Sequence, residues 1–159
     1  MKNKSLTLIY AILVSTQIFG EIVKTDFWSL NETSKEGANY RLEFEDLIET
    51  LNVAPQTFKK IISKSILAMP TFSGEKIYFK FYKNSVMHPN LEKRYPNIST
   101  FVGVGVENPT YRATIIINDD IVIGSVESED GTSHFKSFDI YSENNELLVY
   151  SEAKNYQDL

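Results

Sequence analysis

The second half of the chain alternates. In residues 76–83, Ile77, Phe79 and Phe81 fall on one face and Tyr78, Lys80 and Tyr82 on the other, the period of two that marks a strand with one buried side. Runs rich in β-branched and aromatic residues follow at 98–106, 111–118, 121–126, 134–141 and 146–150, and one precedes at 65–69. Turn formers separate them: Ser73-Gly74-Glu75, Asn108-Pro109, Asn118-Asp119-Asp120, Asp130-Gly131 and Glu143-Asn144-Asn145. Short strands at near-regular spacing predict an antiparallel sheet or sandwich.

The first half has a different rhythm. Phe44, Leu47, Ile48 and Leu51 recur at i, i+3, i+4 and i+7 with Asp46, Glu49 and Thr50 outward, which predicts a one-faced helix ended by Asn52 and Pro55. Phe58, Ile61 and Ile62 suggest a second short helix opening at Pro55, and residues 89–95, bracketed by Pro89 and Pro96, one or two helical turns. Before all of these, residues 21–38 are polar except for a knot at Phe27, Trp28 and Leu30, and read as an extended lead-in whose aromatic pair docks on the domain. The pattern as a whole predicts a single α+β domain over 39–156, dominated by antiparallel strands with one or two short helices, and a tail at 157–159.

At the N-terminus, Lys2 and Lys4 precede an uncharged apolar run over 6–14, and residues 15–20 become smaller and more polar, the layout of a secretory signal peptide. That run is far shorter than the ~20 residues a membrane-crossing helix needs. Cleavage is expected between Gly20 and Glu21, although Ile18 stands three residues before the cut where a small side chain is usual. The product is expected to be exported, whether secreted, periplasmic or at the cell surface, with no membrane association once the leader is gone. Cysteine is absent, which excludes a lipid-modified N-terminal cysteine and requires an exported fold that holds without disulfides.

Charge narrows the partners. Sixteen basic side chains face 21 acidic ones, and losing Lys2 and Lys4 with the leader leaves 14 against 21, a net of −7. That balance argues against nucleic acid. The roughly 139 residues left after cleavage suffice for one core.

Catalytic and metal chemistry finds little to work with. His88 and His134 are the two histidines, no His-Glu-x-x-His pattern occurs, and a closed zinc site would need carboxylates for half its ligands. No Gly-x-Ser-x-Gly elbow announces a serine nucleophile. Gly103-Val104-Gly105 lacks the third glycine of a dinucleotide fingerprint, so a bulge or close backbone approach within a strand is the better reading. Asp119-Asp120 reads as a two-residue hairpin turn; acidic loops such as that pair and Glu127, Glu129 and Asp130 leave calcium open, but neither set has the spacing of an EF-hand loop. No cofactor is expected, and the residues predict a non-enzyme.

One stretch is more distinctive. Met87-His88-Pro89, Leu91, Tyr95-Pro96 and Ile98 lead into Gly103-Val104-Gly105 and Asn108-Pro109. This resembles the prodomain segment of secreted bacterial zinc metalloproteases of the reprolysin-like kind, in which a Pro-bracketed helix runs into a Gly-x-Gly strand and an Asn/Asp-Pro turn. The likeness extends upstream over 40–51 and 74–82 and downstream over 138–141 and 147–151. It implies an exported, non-catalytic propeptide-like protein that assists folding of, or keeps latent, a zinc metalloprotease catalytic domain, either in the same longer protein beyond Leu159 or in trans. Many metalloprotease propeptides silence the zinc with a cysteine thiolate, a route closed here. The expected partner contact is the segment carrying Met87, Lys93 and Arg94 together with the turn at Asn108 and Pro109, or else the C-terminal strand and tail. The alternative is an exported binding module unrelated to proteolysis, with Tyr78, Tyr82 and Tyr111 offering a ligand face.

Overall fold

Each alternating run has one apolar face to bury, and the short turns between runs decide which neighbour it meets. A computed structural model of the chain describes residues 24–33, 37–57, 59–85, 89–119, 121–137 and 146–151. The elements in chain order are β1 (Lys24–Thr25), β2 (Trp28–Thr33), β3 (Ala38–Leu42), α1 (Phe44–Asn52), β4 (Ile66–Pro70), β5 (Lys76–Lys83), α2 (Pro89–Arg94), β6 (Ile98–Gly105), β7 (Arg112–Asn118), β8 (Ile121–Ser128), β9 (Gly131–Ser137) and β10 (Glu146–Ser151). From β4 to β10 the strands form an antiparallel meander; β10 then pairs with β3, and β3 with β2. At the far end β1 lies parallel to β4, with Lys24 opposite Ile66 and Thr25 opposite Leu67. Only Asp26 and Phe27 separate β1 from β2, so one bent strand supplies both edges of the ten-stranded sheet and curls it onto itself. Closure of this kind removes most of the unpaired edge that an open sheet presents.

The seam where the ends meet is held by side chains as well as by the ladder. Trp28, 2% exposed, donates its indole N–H to the Ala68 carbonyl at 2.6 Å and sets its ring edge-on to Phe135, with centroids 5.8 Å apart. The Lys76 ammonium bonds Asp26 Oδ2 at 2.5 Å and also the Trp28 carbonyl, while the Trp28 N–H donates to Asp26 Oδ1 at 3.0 Å. These contacts join the β1–β2 bend to β4 and β5.

Inside the curl, inward residues alternate along four of the strands: Ala38, Tyr40 and Leu42 on β3, Phe79 and Phe81 on β5, Ala113, Ile115 and Ile117 on β7, Val122 and Val126 on β8; β4 is buried along its whole length. Aromatic rings take much of the interior, and glycines make room for them. A Cβ on Gly103 would lie 3.0 Å from the Phe81 ring, and one on Gly124 would lie 2.4 Å from that of Phe135. α1 turns Leu47 and Leu51 into this same core and leaves Glu45, Asp46 and Glu49 outside.

The strand-dominated single domain agrees with the alternation, and α1 and α2 lie where the periodicity and the proline brackets put them. Of the two arrangements that the alternation allowed, the sheet forms and not the sandwich, as one curled layer. Two expectations change. The supposed lead-in is extended and buries Phe27 and Trp28, but it supplies β1 and β2, the strands that close the sheet. No helix forms over 59–62: Lys83 N donates to Pro55 O at 2.9 Å and Thr57 N to Lys83 O at 3.0 Å, which ties 55–57 to the end of β5, and Ile61 and Ile62 face solvent. The run predicted at 134–141 is β9, Gly131–Ser137, and residues 138–145 lie outside the described ones.

Tyr40 gives this core a pH signature. Its fully buried phenol donates weakly to the Thr71 carbonyl at 3.5 Å, and burial, aided by the negative charge of Asp26, pushes its pKa from 10.0 up to about 12. The fold thus favours the neutral phenol, so this contribution is complete below about pH 10 and is lost as pH rises toward 12. Denaturant midpoints followed upward from neutral pH are expected to fall across that window in the wild type and to fall less in Tyr40→Phe. Parallel curves for the two proteins would show that Tyr40 ionises as freely folded as unfolded.

Candidate binding surface

In a meander, successive connections lie at alternate ends. The connection carrying α1 and residues 53–65, the one carrying α2, and the β7–β8 turn therefore share one end of the curled sheet; the β4–β5, β6–β7 and β8–β9 turns share the other.

At the first end, α1, the end of β1 and the segment leading into β4 enclose an open cleft of about 560 Å³, lined by Thr25, Glu49, Thr50, Val53, Pro55, Ile61, Ile62, Lys64 and Ser65. The segment is fixed on both sides of its apolar pair. Besides the bonds to Lys83, Ser65 Oγ donates to the Thr50 carbonyl at 3.1 Å and the Ser65 carbonyl accepts from Phe81 N at 2.9 Å. Between these anchors Ile61 and Ile62 project outward, 58% and 75% exposed, facing Val53 at 77%. α2 lies at the same end and exposes Leu91, Lys93 and Arg94, with Tyr95 beside them. Asn97 Nδ2 donates to Asp119 Oδ2 at 3.3 Å and ties this corner to the β7–β8 turn.

The opposite end is polar. Asn108 Oδ1 accepts from Thr110 N at 3.0 Å and from Thr110 Oγ1 at 2.7 Å, and the Pro109 carbonyl accepts from Arg112 Nη1 at 2.5 Å. A depression of about 370 Å³ beside this turn is lined by Asn108, Thr110, Tyr111, Glu127, Ser128 and Glu129.

The residues expected to form one partner contact are not together. Lys93 and Arg94 precede β6 whereas Asn108 and Pro109 follow it, and a strand of eight residues separates its ends by about 25 Å. Met87, His88, Gly20 and Glu21 lie outside the described residues. His134 is half-buried on β9 and packs against the Tyr150 ring, with centroids 5.8 Å apart. Asp119 has φ 42° and begins the two-residue turn joining Asn118 to Ile121, as its residue type suggested. Gly103 stands opposite Phe81 in the ladder and close to its ring, and a Cβ on Gly105 would lie 2.2 Å from the Asn108 carbonyl oxygen, the close approach expected of the pair. Among the described residues no group of three or more His, Asp or Glu is placed to hold a metal ion, and no helix is long and apolar enough to cross a membrane.

What sequence reading missed is the Val53, Ile61 and Ile62 surface. The signal was present in Lys59-Lys60-Ile61-Ile62-Ser63-Lys64, an apolar pair set among lysines with too little apolar periodicity to bury a helix face. Comparisons with protein-family models, with curated proteins and with solved structures found no match for this chain.

Proposed function

We propose that this chain is an exported, non-catalytic binding domain that docks a protein partner through the helical end of its curled sheet. One observation carries the reading. Of the seven large apolar residues exposed among the described ones, Val53, Ile61, Ile62, Leu91, Tyr95 and Ile121 all belong to that end, and Leu30 is the exception. Apolar side chains concentrated on one face mark an interaction site, because scattered exposure is ordinary and clustering is not. The aromatic packing inside the sheet favours a surface binder over a carrier of small molecules.

The likeness of residues 85–109 to metalloprotease prodomains makes the catalytic domain of a secreted zinc metalloprotease the first partner to test, met in trans or within a longer protein. Lys93 and Arg94 sit on the proposed surface, whereas Asn108 and Pro109 sit on the far end, so the contact is assigned to the α2 side. The test is inhibition of such a protease by the added domain. Leu91→Glu, and separately Lys93→Glu with Arg94→Glu, is expected to weaken inhibition about tenfold or more at unchanged melting temperature, while Glu129→Lys at the opposite end leaves it intact. Equal inhibition by all of these variants would remove the helical end from the contact. A domain that inhibits no such protease, yet binds another exported protein through Leu91, would keep the surface and change the partner.

A further inference from the structure

We propose that the cleft between α1 and the segment before β4 seats a second copy of this chain, an inference that rests on the helical end being the binding end. Its two walls carry opposite charges: Glu49 stands on the α1 side and Lys64 on the other, with Val53, Ile61 and Ile62 forming the apolar ground between them. Both charged side chains are exposed, and among the described residues neither has an ion-pair partner in its own chain.

That arrangement selects the occupant. A surface with one positive and one negative edge around an apolar centre is complementary to itself under a two-fold rotation: Glu49 of one copy meets Lys64 of the other twice per interface, while the isoleucines and Val53 cover one another. An anionic bilayer would attract the Lys64 edge and repel the Glu49 edge, and the chain's net charge of −5 adds to the repulsion. The two charge contacts set the register of the pair. The apolar centre supplies most of the affinity.

Sedimentation equilibrium of the purified chain over a concentration series tests this. A reversible dimer is expected. Lys64→Glu and Glu49→Lys each place two like-charge contacts in the interface and are expected to raise the dimer Kd about tenfold or more; the double exchange restores opposite charges and returns Kd to near the wild-type value. Ile62→Glu is expected to leave a monomer with an unchanged melting temperature, and Leu91→Glu to leave the dimer intact. A chain that stays monomeric at every concentration, or a double exchange that dimerises no better than either single change, overturns the proposal. So does flotation with anionic vesicles that Lys64→Glu abolishes and Glu49→Lys strengthens, which would give the cleft to a lipid surface. A monomer that still inhibits a protease through Leu91 would end this inference and leave the reading of the helical end standing.

Discussion

Trp28→Ala is expected to lower unfolding free energy by about 3–5 kcal/mol, a large share of the roughly 5–15 kcal/mol that holds a domain of this size. Three losses coincide at that residue. A large buried ring leaves a cavity beside Phe135, the Ala68 carbonyl loses its indole donor, and the bend between β1 and β2 loses the side chain that fixes it to β4. Trp28→Phe separates the first loss from the second: it retains an aromatic ring but no donor, and is expected to cost about 1–3 kcal/mol. Leu30→Ala, on the same strand but 46% exposed, is expected to change stability by no more than about 0.5 kcal/mol. Trp28 is the chain's single tryptophan, so wild-type unfolding in urea is followed by the red shift of its own emission. Far-ultraviolet circular dichroism follows the variants without it. A Trp28→Ala protein with the wild-type denaturant midpoint would mean that the ends of the sheet are held together without this contact.

The sheet was legible where burial is one-sided. β5 reads directly from Ile77, Phe79 and Phe81 alternating with Tyr78, Lys80 and Tyr82, and β7 from Ala113, Ile115 and Ile117. The Asp119-Asp120 pair marks the turn because short polar side chains tolerate positive φ. α1 reads from its apolar stripe, with Leu47 and Leu51 buried as the spacing requires. β2 was not legible, since after Trp28 its residues are all exposed and no alternation exists to be seen. Its role depends on β3, the next strand in the chain, on one side, and on Ala68 and Lys76, distant in sequence, across the seam. A strand whose place is fixed at its two neighbours leaves little trace in its own residues.

The candidate surface divides along the same line. The Pro-bracketed α2 and its exposed Lys93 and Arg94 follow from local sequence. Pairing them with Asn108 and Pro109 overlooked that β6 is a single uninterrupted strand, which carries the chain from one end of the sheet to the other. The cleft was hidden for another reason. Ile61 and Ile62 look like core residues by composition, and only the bonds from Pro55, Thr57 and Ser65 to β5 show that they are held outward. Apolar residues kept at the surface by a fixed backbone are those that local patterning assigns wrongly, and here they form the binding surface we propose.

Gly124→Ala is expected to be the most damaging single-methyl addition in the sheet. A Cβ there would lie 2.0 Å from the Thr114 carbonyl oxygen and 2.4 Å from Phe135 Cζ. The ring could rotate away at modest cost, but the carbonyl belongs to β7, whose ladder with β8 runs from Arg112 opposite Glu127 to Asn118 opposite Ile121, and it cannot retreat without stretching that ladder. Overpacking of a well-filled core costs about 1–3 kcal/mol when side chains can adjust; with a strand in the way the cost is expected at or above the top of that range. Combining Gly124→Ala with Phe135→Ala separates the two clashes, and is expected to recover none of the loss because the contact with Thr114 persists and a cavity is added. Gly131→Ala provides the contrast. Its φ of 111° is unfavourable for any side chain, yet nothing lies within 4 Å of the added atom, so its expected cost is conformational alone, about 1–3 kcal/mol. Thermal melts of the four proteins decide the matter. A Gly124→Ala protein that melts with the wild type, or one rescued by Phe135→Ala, would show that β7 and β8 are free to part at this point and that the ring, not the backbone, sets the requirement for glycine.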